Sequence, residues 1–366
     1  MNVSRRKMLA LGLGAISLRS ARGLAQTPPV LVSGGAIPPN PFDELTPPTA
    51  AAPAVAPPPA PPPAPPPPPA PPPAPAVAEA SPLPPNPYEA GVRRYGALIE
   101  DDIVRALSEA PIQSARNVGN TSVNLRCDLD GDIDGAYKPA ETRHVDHWRA
   151  EIGAFRVAQL LGIDRVPPAV FRRVARAELV GADASRLLFR DGWARGAMIY
   201  WVPVLRRAGI FSGEALTQWT NHLVVGVEIP ADARGRAEEI STLISFDFII
   251  GNWDRWHGTN TLVDARGQLC YRDNNGGFLE PLPRWKMEII FSFLQRVQRF
   301  SRRFVDGVRA MTLAGLRRAI VADADGHEAL LNEAQLRAMM RRRATFLEYV
   351  DALVGIHGAA EVYCFE

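Results

Sequence analysis

The sequence predicts a two-lobed α+β domain behind a long N-terminal region that cannot pack into a core. Two observations divide the 366 residues in this way. Only eight of the 35 prolines lie beyond residue 88. From residue 91 onward, strand-like and helix-like segments alternate with polar turns. About 275 residues remain there, which is enough for two lobes with a sizeable core.

Residues 1–25 have the three parts of an export signal: a basic start, an apolar stretch and small residues before Gln26. The basic start reads SRRKML, at residues 4–9, and is similar to the twin-arginine export motif. An ordinary secretory signal is the alternative. The apolar run is too short for a stable membrane span, because a crossing needs about 20 residues. We therefore expect export to the periplasm or the cell exterior.

Residues 26–90 are rich in Pro and Ala and repeat the unit PPPA. Each proline fixes φ and removes a backbone donor, so this tract predicts a disordered, extended linker. The net charge is only +2 and the arginines are scattered, which argues against a nucleic-acid partner. The basic run at residues 341–343 is expected on the solvated face of a helix. No feature predicts an oligomeric state.

The domain opens with a predicted strand, a polar turn and a second strand. The turn residues Gly119, Asn120 and Thr121 suit a nucleotide lid, because their backbone N–H groups can approach phosphates. Lys138 lies near the end of the second strand and would neutralise those phosphates. The turn alone is also typical of a generic hairpin.

Residues 130–141 match the spacing of a calcium loop, D-x-D-x-D-G-x5-E. An EF-hand needs helices on both sides, whereas a strand-like segment precedes this one. Lys138 would also lie inside the loop. A hairpin turn rich in Gly and Asp is the better account.

A helix is predicted over residues 147–161, with apolar residues along one stripe and Glu151 near its start. Residues 246–260 then form an apolar helix that runs into a loop with Asp254 and Asn260. After a hairpin at residues 262–268, a short strand ends at Asp273 and a glycine-rich turn. One loop Asp can accept the proton of an attacking hydroxyl, and the second can hold a divalent metal on phosphates.

These segments resemble the atypical secretory-pathway kinases that include the Golgi casein kinase, the proteoglycan xylose kinase and the four-jointed kinase. YKP at 137–139 resembles the F-K-P strand of that family. AEIGAF at 150–155, followed by RVPP at 165–168, resembles its helix A-E-I-A-A-F and the R-V-P-P that follows. GNWDRWH at 251–257 and DNNGGF at 273–278 resemble G-N-x-D-R-H-H and D-N-G-R-G-F. The resemblance extends over roughly residues 95 to 350.

The resemblance implies an atypical protein-kinase-like fold, with a small, mainly β N-lobe at about 91–196 and a larger helical C-lobe at about 197–366. It implies ATP with Mg²⁺ or Mn²⁺ and assigns four roles. Lys138 would contact the phosphates, with Glu151 as its partner or as a metal ligand. Asp254 would be the catalytic base and Asp273 a metal ligand.

The sequence departs from the family pattern in three places. Trp256 stands where the family has its first His, and the family's cysteine framework is absent. Asn260 lies six positions after Asp254, whereas ordinary kinases place a metal-binding Asn five positions after the Asp. Asn260 is therefore either a second metal ligand or a turn residue.

The expected function is metal-dependent transfer of the γ-phosphoryl group of a nucleoside triphosphate to a hydroxyl of an exported protein or glycan. The apolar run at residues 197–203 suits the strand and hinge beside an adenine pocket. Two alternatives remain: a nucleotide-binding pseudokinase scaffold, and a kinase-like lipid kinase or nucleotidyl transferase. All four charged positions are occupied, which favours an enzyme.

Overall fold

This computed structural model describes residues 93–119, 122–210, 213–256, 260–320 and 329–365, so the predicted signal and linker lie outside the described residues. The elements are, in chain order, β1 (Arg94–Tyr95), β2 (Leu98–Ile99), α1 (Glu100–Glu109), β3 (Ile112–Asn117), β4 (Leu125–Leu129), β5 (Gly135–Pro139), α2 (His147–Leu161), β6 (Ala169–Ala175), β7 (Phe189–Arg190), β8 (Trp193–Tyr200), β9 (Arg206–Arg207), α3 (Gly213–His222), α4 (Arg234–Ile250), β10 (Leu262–Val263), β11 (Leu269–Cys270), α5 (Arg284–Leu294), α6 (Arg302–Ala310), α7 (Leu313–Ala319), α8 (Glu333–His357) and α9 (Ala359–Val362).

The N-terminal half is an antiparallel sheet with the strand order β3-β4-β5-β8-β6, and β7 pairs with β8 at one end. Buried and half-buried residues alternate along β4 and β5, as expected when the two faces of a sheet meet different surroundings. Helix α1 contributes Ile103 and Leu107 to a core on one face. Helix α2 contributes Ile152 and Phe155 to the larger core on the other face.

Strands β5 and β8 approach each other very closely at Gly196. A Cβ atom added there would lie 2.5 Å from the Lys138 carbonyl oxygen and 2.8 Å from the Pro139 Cα. Since real Cβ atoms do not come so close, only glycine fits at this position. The close approach fixes the backbone on which Lys138 is carried.

The C-terminal half is mainly helical. Helix α4 is buried along most of its length, in keeping with its apolar run up to Ile250, and it packs against α5 and α8. Helix α8 begins with a capping box at Asn332 and Gln335. A small sheet of order β11-β10-β9 lies beside these helices and includes the predicted hairpin.

The arginine run on α8 differs from expectation. Arg342 is buried rather than solvated, and its Nε donates to the Ile249 carbonyl oxygen at 2.9 Å. Burial lowers the pKa of Arg342 to about 10. Its guanidinium lies against Gly251, the left-handed C-cap of α4. The prediction of a solvated face was therefore wrong for this residue, because α8 packs that side against the end of α4.

A β-rich part followed by a helical part is the predicted two-lobed α+β arrangement. Strand β8 crosses the expected boundary near residue 196 and continues to Tyr200. The segment with calcium-loop spacing provides the turn between β4 and β5 at residues 130–134 and then β5 itself. Arg126 pairs with Asp134, and Arg186 pairs with the buried Glu141, which follows β5. All three cysteines are free thiols. None of the described helices is long and apolar enough to cross a membrane.

Candidate active site

A cleft that is open to solvent lies between the sheet and the helical half. One end is apolar and the other carries charged side chains. Its walls are formed by Ala136, Lys138, Glu151, Val166, Pro167, Ile199, Tyr200, Trp201, Val202, Leu205, Arg272, Asp273 and Asn274. An apolar slot with a few converging polar groups is typical of a small-molecule site. The predicted strand and hinge at residues 197–203 supply part of the apolar end.

Lys138 lies at the polar end and connects three distant parts of the chain. Its Nζ is 2.5 Å from Glu151 Oε1 on α2 and 2.7 Å from Asp273 Oδ1 on the loop after β11. Three of the four charged residues predicted from the motifs therefore meet at one point, although up to 135 positions separate them in sequence.

The charges in this cluster stabilise one another. The Lys138 ammonium lowers the pKa of Asp273 to about 2, although burial opposes the shift. Burial lowers the pKa of Lys138, but Asp273 and Glu151 together outweigh it, so that pKa lies above its ordinary value. The Lys138 ammonium and the Asp273 carboxylate are consequently both ionised at neutral pH.

Glu151 also fixes the loop that carries Asp273. Its Oε2 accepts a hydrogen bond from the Asn274 backbone N at 3.1 Å, so both carboxylate oxygens are engaged. Asp273 itself has a left-handed backbone, with φ of 60°, a conformation that non-glycine residues adopt at a cost. Hydrogen bonds made by the neighbouring residues Arg272 and Asn274 hold Asp273 in this conformation.

A second cluster forms around the fully buried Arg255. Its Nε lies 3.0 Å from Asp247 Oδ2 on α4, and its Nη2 lies 2.6 Å from Asn274 Oδ1. Its Nη1 donates to the Arg272 carbonyl oxygen and to that of Asn260. Burial raises the pKa of Asp247 to about 6, and the Arg255 charge opposes that rise. Arg255 therefore connects the end of α4 to the loop that carries Asp254 and to the loop that carries Asp273.

Asp254 follows the end of α4 and lies against the glycine-rich turn. A Cβ atom added to Gly276 would lie 2.8 Å from the Asp254 Cβ, so the close approach of the two loops requires glycine there. The Asn260 side chain donates from Nδ2 to the Asp254 carbonyl oxygen at 3.0 Å and to Asp254 Oδ2 at 3.3 Å. Asn260 thus stabilises the Asp254 loop, and its role as a metal ligand stays a prediction.

The remaining predicted positions are placed less centrally. Gly119 lies on the β3–β4 connection with a positive φ and is not among the described residues that line the cleft. Asn120, Thr121 and His257 lie outside the described residues. Trp256, at the position of the family's first His, stacks on Phe293 with ring centroids 4.4 Å apart, which gives it a packing role.

Three groups near the site were not found from the sequence. In the sequence, Arg255 is only one letter of a motif and Asp247 only one position of an apolar helix, so neither indicates a role of its own. The Nζ atom of Lys286, on α5, lies 3.8 Å from the centroid of the Trp253 ring. Trp253 directly precedes Asp254 in the chain. The sequence does contain one indication of Lys286, because lysine is very rare in this chain.

The oxygen atoms of the site suit a divalent cation that also binds a nucleotide. Within the ranges that the structure describes, no group of three or more His, Cys, Asp or Glu side chains is arranged to hold a metal by itself. Mg²⁺ and its relatives commonly bind one or two carboxylates and take the other ligands from phosphates and water. Asp273, ionised and partly exposed, fits such a site.

Comparison with solved structures identifies the fold. Two structures of the Golgi casein kinase, one with Mn/ADP bound, match with a TM-score of 0.52 and 16% identity, over 72% of this chain and 76% and 78% of theirs. The structure of hydra Fam20 with sugar matches with a TM-score of 0.56 and 20% identity, over 74% of this chain and 95% of that chain. No protein-family model and no curated protein matches the sequence.

These matches confirm the predicted two-lobed, atypical kinase-like fold. They also confirm the resemblance to the secretory-pathway kinases at the level of the fold. The strand with Lys138, the helix with Glu151 and the loops with Asp254 and Asp273 thus belong to a scaffold of kinase type.

The Arg255 cluster gives a stability prediction. Arg255→Met should lower the free energy of unfolding by about 3–5 kcal/mol, because it leaves the Asp247 carboxylate buried without its cation. Chemical denaturation followed by far-UV circular dichroism measures the change. The control is Arg105→Met, which removes an exposed pair with Asp102 and should cost at most about 1 kcal/mol. Equal, small effects for both variants would contradict the role given to Arg255.

Proposed function

We propose that this protein is a metal-dependent phosphotransferase that moves the γ-phosphoryl group of a nucleoside triphosphate to a hydroxyl group of an exported protein or glycan. The observation that carries the proposal is the contact of Lys138 with both Glu151 and Asp273, at the polar end of an apolar cleft. Kinase-type phosphoryl transfer needs this set: a lysine for the phosphates, a carboxylate that orients it, and an Asp for the metal.

The fold neighbours support a nucleotide and a divalent metal as the ligands. A crystal structure of the Golgi casein kinase has Mn/ADP bound, and the structure of hydra Fam20 was solved with sugar. The apolar end of the cleft, with Val166, Ile199 and Leu205, suits a nucleobase. The phosphates would then extend toward Lys138.

Each residue has a distinct part in the reaction. Lys138 binds the phosphates, and Glu151 holds its ammonium in place. Asp273, with Asn260 as a further candidate, would hold the metal, which when bound neutralises charge on the β- and γ-phosphates. Asp254 accepts the proton of the acceptor hydroxyl, whose oxygen forms the new P–O bond as the bond to the β-phosphate oxygen breaks.

The proposed acceptor class follows from the N-terminal segment. Its twin-arginine-like start and apolar run support export, and an exported enzyme meets exported proteins and glycans. Export and the working compartment are therefore part of this proposal.

Isotope transfer tests the reaction type. Purified protein with Mg²⁺ or Mn²⁺ is incubated with γ-labelled or α-labelled ATP, and label on protein, added glycans and free phosphate is counted. We expect transfer of the γ label only. Transfer of the α label would instead favour a nucleotidyl transferase, and bound but unchanged ATP would favour a pseudokinase.

Removal of Asp273 should abolish metal-dependent nucleotide binding. Asp273→Ala deletes the carboxylate that fits the metal and also releases Lys138 from one of its two partners. Calorimetric titration with ATP and Mn²⁺ should show loss of the metal-dependent part of the affinity, with the fold intact by circular dichroism. Unchanged affinity would contradict the assignment of Asp273.

Asp254 should matter for turnover and little for binding. Asp254→Asn keeps the size of the side chain but removes the proton acceptor, so the rate should fall by roughly 10²–10⁴-fold. Nucleotide affinity should change little, since Lys138 and Asp273 are intact. Asp306→Asn, an exposed change on α6, is the control. Wild-type turnover in a folded Asp254→Asn protein would exclude Asp254 as the base.

A further inference from the structure

Lysine is almost absent from this chain. Of its 41 basic residues, 38 are arginines, and the three lysines are Lys7, Lys138 and Lys286. Lys7 belongs to the predicted export signal, so the folded domain contains two lysines. Where arginine serves almost everywhere else, a retained lysine indicates a need for a compact ammonium rather than a planar guanidinium.

Both lysines of the domain lie near residues assigned to the candidate site. Lys138 lies at the polar end of the cleft. Lys286, in the first turn of α5, lies with Nζ 3.8 Å from the centroid of the Trp253 ring and 5.2 Å from that of Trp285. The two tryptophans meet edge to face, with centroids 5.2 Å apart, and Trp253 directly precedes Asp254. This pair of rings fixes the ammonium by cation–π contact on the Asp254 side of the site.

Lys286 is close enough to Asp254 for the two charges to interact. Partial burial lowers the pKa of Lys286, and the Asp254 carboxylate opposes that shift. Trp285 remains 53% exposed, so the two tryptophans that contact Lys286 border solvent. Arg284, two positions earlier on the same helix, is exposed and pairs with Glu288 instead.

We propose that Lys286 is a further catalytic residue of this site, whose ammonium contacts the terminal phosphoryl group as it passes from the nucleotide to the acceptor. The proposal rests on the phosphotransferase function proposed above. Lys138 is held by Glu151 and Asp273, and Lys286 supplies a second positive charge over the ring of Trp253, the residue directly before Asp254.

The step balances without any further reactant. The acceptor oxygen forms a bond to the γ-phosphorus and loses its proton to Asp254. The bond between the γ-phosphorus and the bridging oxygen breaks, and the nucleoside diphosphate leaves with its electron pair. The three outer oxygens of the phosphoryl group carry negative charge throughout, and Lys286 stabilises that charge as the group moves toward Asp254.

An affinity label tests the contact directly. In an acyl-phosphate derivative of ATP, the acyl group is on the terminal phosphate, so a lysine amine next to that phosphate forms an amide and releases ATP. With two lysines in the folded domain, peptide mass spectrometry assigns the site unambiguously. We expect acylation of Lys286 that needs Mg²⁺ or Mn²⁺ and is blocked by excess ATP. Acylation of Lys138 alone would overturn the role of Lys286 and leave nucleotide binding standing.

If neither lysine reacts and calorimetry detects no ATP binding, the proposed function fails together with this inference. If neither reacts but ATP binds, the inference alone fails. The outcomes therefore separate the two proposals.

Kinetic variants provide a second, independent test. Lys286→Met should lower kcat for ATP turnover by about 10²–10³-fold, the scale expected for loss of one group that stabilises charge in a transition state. KM for ATP should stay within about twofold, and Lys286→Arg should recover part of kcat because it restores the cation. Arg284→Met removes a cation from the same helix and should leave turnover unchanged. Equal rates for Lys286→Met and Arg284→Met would overturn the proposal.

Discussion

A buried guanidinium must have its donors satisfied by the protein, and this requirement at Arg255 organises the site. Its partners belong to three segments: Asp247 on α4, the Asn260 carbonyl on the Asp254 loop, and Arg272 and Asn274 next to Asp273. An isolated charge in the same place would cost several kcal/mol. If the loops that carry Asp254 and Asp273 moved apart, the Arg255 charge would be exposed or would lose its partners. The positions of Asp254 and Asp273 are therefore fixed relative to α4.

The second constraint connects the two halves of the molecule through Glu151. One of its oxygens accepts from Lys138 on the sheet and the other from the Asn274 backbone on the helical side. Asn274 also accepts from Arg255, so the two clusters share a residue. In the proposed reaction, a nucleotide in the cleft would compete with Asp273 for Lys138. A divalent cation held by Asp273 would ease that competition, because the carboxylate would keep a cationic partner.

Sequence predicted the parts of this site whose signals are local. The hairpin before Lys138, the helix with Glu151 and the glycine-rich turn after Asp273 follow from periodicity and turn residues. That Lys138 and Asp273 belong to one site followed only from the family resemblance, and their direct contact was not predicted, since no local pattern joins residues 135 positions apart. Arg342 was misplaced because a charged run on a helix does not reveal which side packs inward. Lys286 was missed because α5 carries no motif.

Arginine and lysine make different contacts in this chain because the geometry of their charged groups differs. Buried arginines donate to backbone carbonyl oxygens at the C-terminal ends of helices: Arg342 reaches Ile249, and Arg172 reaches Leu107 and Ala110. A guanidinium suits this work because its donors lie in one plane at fixed angles and its charge is permanent. Lysine suits position 138 for a different reason: its compact ammonium lies between two carboxylates from distant segments, Glu151 and Asp273, and its rotatable donors meet both at once.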